Sequence, residues 1–194
     1  MRLVFLGPPG AGKGTQSARL TGYLSIPHLS TGDMLRKAIE EQTPVGRMVA
    51  EYLDSGRLVP DPVIIQVVGN RLRQPDCKPG CLFDGFPRTL GQAQALDEYL
   101  ASLGTPLAGV IHLDVPEEKL VKRLMQRGRG DDHPETIRRR FEQYKALTAP
   151  LLEYYGQRKL LHTVDASSLP DEVFKQLKVV VDRLAQERAS GDAS

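Results

Sequence analysis

Two hydrophobic periods alternate along the chain. Leu3–Leu6 is an apolar run dense enough for a strand buried on both faces, and Cys81–Asp84 and Val110–Asp114 read the same way, each ending in a carboxylate. Ile26–Ser30 and Leu160–Asp165 predict two more strands. Between them the apolar positions shift to helical spacing. Ala18, Leu20 and Leu24 offer a core face in the first helix; Ile64, Val67, Val68 and Leu72 share one face of a helix over Val63–Arg73. Polar punctuation sets the limits. Thr31-Gly32-Asp33 offers capping oxygens to a helix over Met34–Glu41, and Pro44 opens a helix that Gly56 stops. Asp61-Pro62 reads as cap and first position, and Thr89-Leu90-Gly91-Gln92 has capping-box spacing. Pro116 and Pro170 open further helices, while Pro134 starts a long one ending near Tyr155 and kinked at Pro150. Strands alternating with helices predict an α/β architecture: five parallel strands between helical layers, with ligands at the strands' carboxyl ends.

The strand Leu3–Leu6 runs into Gly7-Pro8-Pro9-Gly10-Ala11-Gly12-Lys13-Gly14-Thr15 and then into a helix. Strand, glycine loop and helix together form a phosphate cradle. Glycines let successive N–H groups converge on oxygens, the helix start adds its positive dipole end, and Lys13 adds a mobile charge. The hydroxyl that usually follows the lysine directly is displaced here to Thr15 by Gly14.

Net charge is only +2, which gives no reason to expect a nucleic-acid or membrane partner. Its positive part is mostly arginine, 17 against 9 lysines, the residue preferred for bidentate phosphate contacts. No apolar run approaches the ~20 residues that cross a bilayer, so a cytoplasmic enzyme is expected. Cys77 and Cys81 lack further ligands nearby and read as free, partly buried thiols.

Three more clusters carry chemistry. Asp84-Gly85-Phe86-Pro87-Arg88-Thr89 puts a carboxylate at the end of a buried strand, suited to holding Mg²⁺ through its water shell, with Arg88 able to enter the same cleft. Ser30-Thr31-Gly32-Asp33-Met34-Leu35-Arg36 is a helix start with an arginine one turn on. Arg123, Arg127, Arg129, Arg138, Arg139 and Arg140 flank Gly-Arg-Gly-Asp-Asp, with Arg138 and Arg139 best read as solvated helix surface.

Gly-Lys-Gly-Thr, Asp-Gly-Phe-Pro-Arg-Thr and Ser-Thr-Gly-Asp, in this order and spacing, resemble the adenylate kinases among the nucleoside monophosphate kinases, over nearly the whole chain. The resemblance implies a P-loop kinase fold and reversible transfer of the terminal phosphoryl group of Mg-ATP to AMP, giving two ADP. It places ATP at Gly10, Ala11, Gly12, Lys13, Gly14, Thr15, Arg123, Arg127 and the backbone of Ser168. AMP falls to Thr31, Arg36, Arg57, Leu58, Val59, Gly85, Phe86, Pro87, Arg88, Gln92, Arg129 and Arg140. Lys13, Arg88, Arg129 and Arg140 would face the group in transit, with Mg²⁺ at Asp84 and Asp131 helping to close a flap. Pyrimidine nucleotide kinases of similar build carry Ala where Thr31 stands.

The resemblance further implies one core over residues 1–194, a monophosphate-binding insertion at 30–59 and a short lid at 127–137. Relatives with about thirty extra lid residues can hold zinc there; here no structural zinc is expected. The chain is expected to act as a monomer on small nucleotides, with no nucleic-acid or membrane partner. A nucleotide-dependent switch is the contrasting class, but a guanine-reading Asn-Lys-x-Asp is absent.

Overall fold

The structure, a computed structural model, describes residues 1–127 and 133–191. Strands β1 (Arg2–Leu6), β2 (His28–Ser30), β3 (Cys81–Asp84), β4 (Gly109–Asp114) and β5 (Leu161–Asp165) form one parallel sheet in the order β2-β3-β1-β4-β5. β1 lies at the centre, with Leu3, Val4, Phe5 and Leu6 at most 2% exposed, as its unbroken apolar run requires. Side chains alternate between two cores. Leu3, Phe5, Leu82 and Ile111 face one; Val4, Leu6, Phe83 and Val110 face the other.

The helices are α1 (Lys13–Leu24), α2 (Thr31–Glu40), α3 (Pro44–Asp54), α4 (Asp61–Leu72), α5 (Leu90–Ser102), α6 (Glu117–Arg127), α7 (Pro134–Gln143), α8 (Pro150–Gln157) and α9 (Pro170–Gly191). Several boundaries differ from expectation for local reasons. Ile26 belongs to the end of α1: Ser25 is left-handed and Ile26 N–H returns to the Thr21 carbonyl, the six-to-one bond of a Schellman ending. Gln16 and Ser17, with Leu20, face inward on α1, whereas Ala18 is exposed. Ser30, rather than Thr31 or Asp33, caps α2 by accepting from Asp33 N–H. Asp61 is the first residue of α4, not its cap; Pro60 precedes it without a side-chain cap.

The predicted helix from Pro134 to Tyr155 is interrupted by a π-turn over Tyr144–Thr148 rather than merely bent. Pro150 has no N–H to donate, and the widened turn instead passes Ala149 N–H to the Tyr144 carbonyl at 2.8 Å. Cys77 and Cys81 are free but fully buried, not partly so. Among the described residues no helix is long and apolar enough to cross a membrane.

Candidate active site

The carboxyl ends of the strands open into a cleft of about 1160 Å³. At one end lies the glycine loop. Gly10 sits at φ +84°, and a Cβ there would come within 2.8 Å of the Leu120 carbonyl oxygen. Glycine alone takes this bend cheaply while the loop rests against α6. Gly12 precedes α1 and supplies no side-chain cap, so the first N–H groups of the helix remain for an anion. Lys13 Nζ donates to the carbonyls of Gly7 at 2.8 Å and Pro8 at 3.0 Å, which folds its charge along the inside of the loop. Gly10, Ala11, Gly12, Lys13, Gly14 and Thr15 all line the cleft.

Beside this loop, Asp165 accepts from Ser167 N–H at 2.8 Å, and Arg123 donates to the Ala166 carbonyl from both terminal nitrogens at 3.1 Å. Together they hold Ala166–Ser168 as a backbone ledge, and both Arg123 and Ser168 line the cleft. Gln16, 3% exposed, donates to the Pro170 carbonyl, and its Oε1 has no partner among the described residues.

Asp84 occupies the middle. Burial alone would raise its pKa, but a hydrogen bond from His28 (3.2 Å) and the charges of Lys13 and Arg88 outweigh that and hold it below the ordinary value. The ionised carboxylate is hard and oxygen-only, and its Oδ2 lies 4.0 Å from where a Gly14 Cβ would stand. That donor chemistry fits Mg²⁺, which keeps several waters and shares substrate phosphates; among the described residues no cluster of three His, Cys, Asp or Glu forms a protein cage.

Beside Asp84 the chain turns at Gly85, φ +79°, where a Cβ would approach Thr31 Oγ1 to 2.8 Å. The turn brings Arg88 Nε back onto the Gly85 carbonyl at 2.7 Å. Desolvation pulls the Arg88 guanidinium below its ordinary pKa; Asp84 opposes this, and Arg140 and Arg36 add to it. All three arginines line the cleft. Arg36 is also ion-paired with Asp33, and cations converging on one cleft favour an anion there.

The other end is an apolar slot. Leu35, Val59 and Ile64 are at most 7% exposed, and Leu53 and Leu58 complete its wall. Gln92, 2% exposed, supplies a polar edge. Thr31 donates to the carbonyls of Gly85 at 3.0 Å and Asp84 at 3.3 Å, tying the end of β2 to that of β3. Arg57 reaches the rim, ion-paired with Glu51 and lying over the Tyr52 ring at 5.0 Å. Pro87 lines the cleft, but the Phe86 side chain does not: it is 2% exposed in the core beside Phe83.

A family model described as adenylate kinase matches residues 5–160. Adenylate kinase 1 of Nostoc sp. is 49% identical over 93% of this chain and 98% of its own. Adenylate kinase of Cyanothece sp. is 47% identical over 96% and 98%. The chain belongs to the adenylate kinase family. A third member, adenylate kinase of Archaeoglobus fulgidus, is 41% identical over 95% of this chain and 99% of its own. That alignment runs over 215 positions against 194 residues here, so this relative carries residues that the present chain lacks.

Arg129 and Asp131 lie outside the described residues, as does the side chain of Arg127. Sequence reasoning missed Asp61, which reaches Thr89 and Gln92 from α4, and Thr148, whose hydroxyl donates to the Arg88 carbonyl at 2.9 Å. Neither has a local signature, because their partners lie 28 or more residues away.

Proposed function

We propose that this protein transfers the terminal phosphoryl group of Mg-ATP to AMP, reversibly, giving two ADP. The observation that carries the reading is a single cleft with a glycine loop at one end, an apolar slot with an amide edge at the other, and Arg36, Arg88 and Arg140 gathered along it. The donor's phosphates rest on Gly10–Thr15 and its base extends along the Ala166–Ser168 ledge, with Arg123 and Arg127 on that side. The acceptor base enters the slot formed with Leu58, Val59 and Gln92. Its phosphate meets Arg36 and Arg88, and Thr31, Arg57 and Gly85–Pro87 shape that end.

Phosphoryl transfer passes through a loose transition state with charge on the oxygens, so catalysis is positioning and electrostatic stabilisation. The acceptor is already an anion, so no general base is needed. Lys13 and Arg88 supply fixed positive charge beside the transferring group, and Arg129 and Arg140 join them from the flap. Mg²⁺, held at Asp84 through water, would neutralise charge on the donor phosphates. Residues 1–194 form one core, 30–59 the acceptor-binding segment and 127–137 a short lid, acting as a cytoplasmic monomer without structural zinc.

A coupled assay with AMP, CMP, UMP and GMP as acceptors tests the reading. AMP is expected to give the highest kcat/KM; equal or greater turnover of CMP or UMP would sink the assignment.

A further inference from the structure

The buried amide of Gln92 is held on both sides. Its Oε1 accepts the Arg88 backbone N–H at 2.7 Å, and its Nε2 donates to Asp61 Oδ1 at 2.7 Å. The second Asp61 oxygen accepts the Thr89 hydroxyl at 2.8 Å, and Thr89 itself is fixed because its Oγ1 caps α5 at Gln92 N–H. Asp61 therefore stands on the first turn of α4, where the helix dipole favours its charge, and clamps the first turn of α5.

These neighbours decide which way the amide faces. A carboxylate can only accept and a peptide N–H can only donate. Turning the amide over would set donor against donor at Arg88 and acceptor against acceptor at Asp61. With one N–H and one oxygen bond committed, Gln92 retains one N–H and one lone pair, in fixed order, for a ligand in the slot. A side-by-side acceptor and donor matches the N6-amino and ring-nitrogen edge of adenine. It mismatches a 6-oxopurine, whose edge presents an acceptor and a ring N–H in the reverse order.

We infer that Asp61 is a positioning residue for acceptor specificity: by locking the Gln92 amide it makes the slot accept 6-aminopurine monophosphates and reject 6-oxopurine ones. This rests on the proposal that the slot holds the acceptor base. Asp61 touches no substrate; it acts through Gln92. A side-chain amide at position 61 could donate as well as accept, and an alanine could do neither, so the two substitutions grade the loss.

The experiment compares AMP with IMP, whose base is a 6-oxopurine, by kcat/KM in the whole protein. Because mispaired buried polar groups dominate such discrimination, Asp61→Ala is expected to lower the AMP-to-IMP ratio about tenfold, mainly through KM for AMP. KM for ATP should stay within about twofold, since the donor end is untouched. Asp61→Asn keeps shape and fold and should lower the ratio about threefold, because it removes one of the two bonds that oppose turning the amide and leaves the Arg88 N–H bond. An unchanged ratio in Asp61→Asn, or a parallel rise of both KM values at constant ratio in Asp61→Ala, overturns the inference in favour of a merely structural role. Gln92→Ala separates the layers. If it collapses the ratio while the Asp61 variants do not, only the positioning role falls. If it leaves the ratio intact, the acceptor-base reading of the slot falls with it.

Discussion

At the Gly7–Thr15 end of the cleft the lining groups belong to consecutive residues of one glycine-rich loop that opens α1. At the Gln92 end they are side chains from α2, α4, α5 and α7, brought together only by the fold. Backbone geometry tolerates side-chain changes but not an added Cβ. A side-chain network tolerates small backbone shifts but loses its function if one partner goes. The two ends should therefore fail in different ways.

The largest effect is expected where the ends meet. Arg88→Ala removes the guanidinium that the Gly85 turn directs into the cleft, and kcat should fall by about 10²–10³, comparable to losing one preorganised donor to a transition state. Circular dichroism and melting should change little, because the Arg88 backbone bonds to Gln92 and Thr148 remain. A kcat within threefold of the parent would remove Arg88 from the chemistry.

Next come paired glycine substitutions. Gly10→Ala would force a Cβ to 2.8 Å from the Leu120 carbonyl at φ +84°, costing about 1–3 kcal/mol and raising KM for ATP selectively. Gly85→Ala meets Thr31 Oγ1 at 2.8 Å and φ +79°, with a similar cost, but should raise KM for AMP and lower kcat, since Arg88 hangs from that turn. If both variants weakened the two nucleotides equally, the cleft would not divide into separable ends.

The same contrast explains what was legible beforehand. The glycine loop, the alternation of strand and helix, the Thr89 cap and the Pro44 start are contiguous signals, and each stands where the spacing puts it. Asp61 shows the limit. Next to a proline it reads as a helix cap, yet its oxygens turn to Thr89 and Gln92, 28 and 31 residues on. Phe86 shows it too: a motif places the residue beside the cleft, but only the sheet decides that its ring enters the core. The π-turn before Pro150 reflects how the widened turn passes its hydrogen bonds, which a proline in sequence does not disclose.

The scaffold under the cleft can be separated from its ends by pH. β3 ends in an ionised Asp84 and begins at Cys81, whose thiol burial pushes up to about 12. In the unfolded chain such a thiol ionises near ~8.5. The folded form thus keeps a proton that the unfolded form releases, and stability is full below that pH and falls as pH rises towards 12. The expected slope is about 1.4 kcal/mol per pH unit for this group, steepened above pH ~10 by Tyr144, also raised to about 12 by burial and by Asp114. Denaturant unfolding from pH 8 to 11 should show the decline, and Cys81→Ala should lessen its first part, leaving the share of Cys77, whose thiol burial also pushes up. A flat profile in the parent protein would mean that the thiol is not held neutral.

The smallest effect concerns a contact between α3 and α7. Arg138 and Arg139 look alike in sequence, as charges on a solvated helix. Arg138 fits that reading, 79% exposed and 3.5 Å from Glu142. Arg139 does not: it donates to the Ser55 carbonyl at 2.9 Å, and Thr136 on the next turn of α7 donates to the Asp54 carbonyl at 3.3 Å. Both acceptors are final carbonyls of α3, where unsatisfied oxygens and the negative dipole end favour a cation. Because Arg139 is exposed, the bond stabilises by only about 0.5–1 kcal/mol, so Arg139→Ala should lower the melting temperature by roughly 1–4 °C. Its kinetic signature should nevertheless fall on one end. Loosening α3 from α7 disturbs the segment that carries Leu53 to Val59, so KM for AMP should rise about twofold while KM for ATP holds. Arg138→Ala, one residue away but without the α3 contact, should change neither.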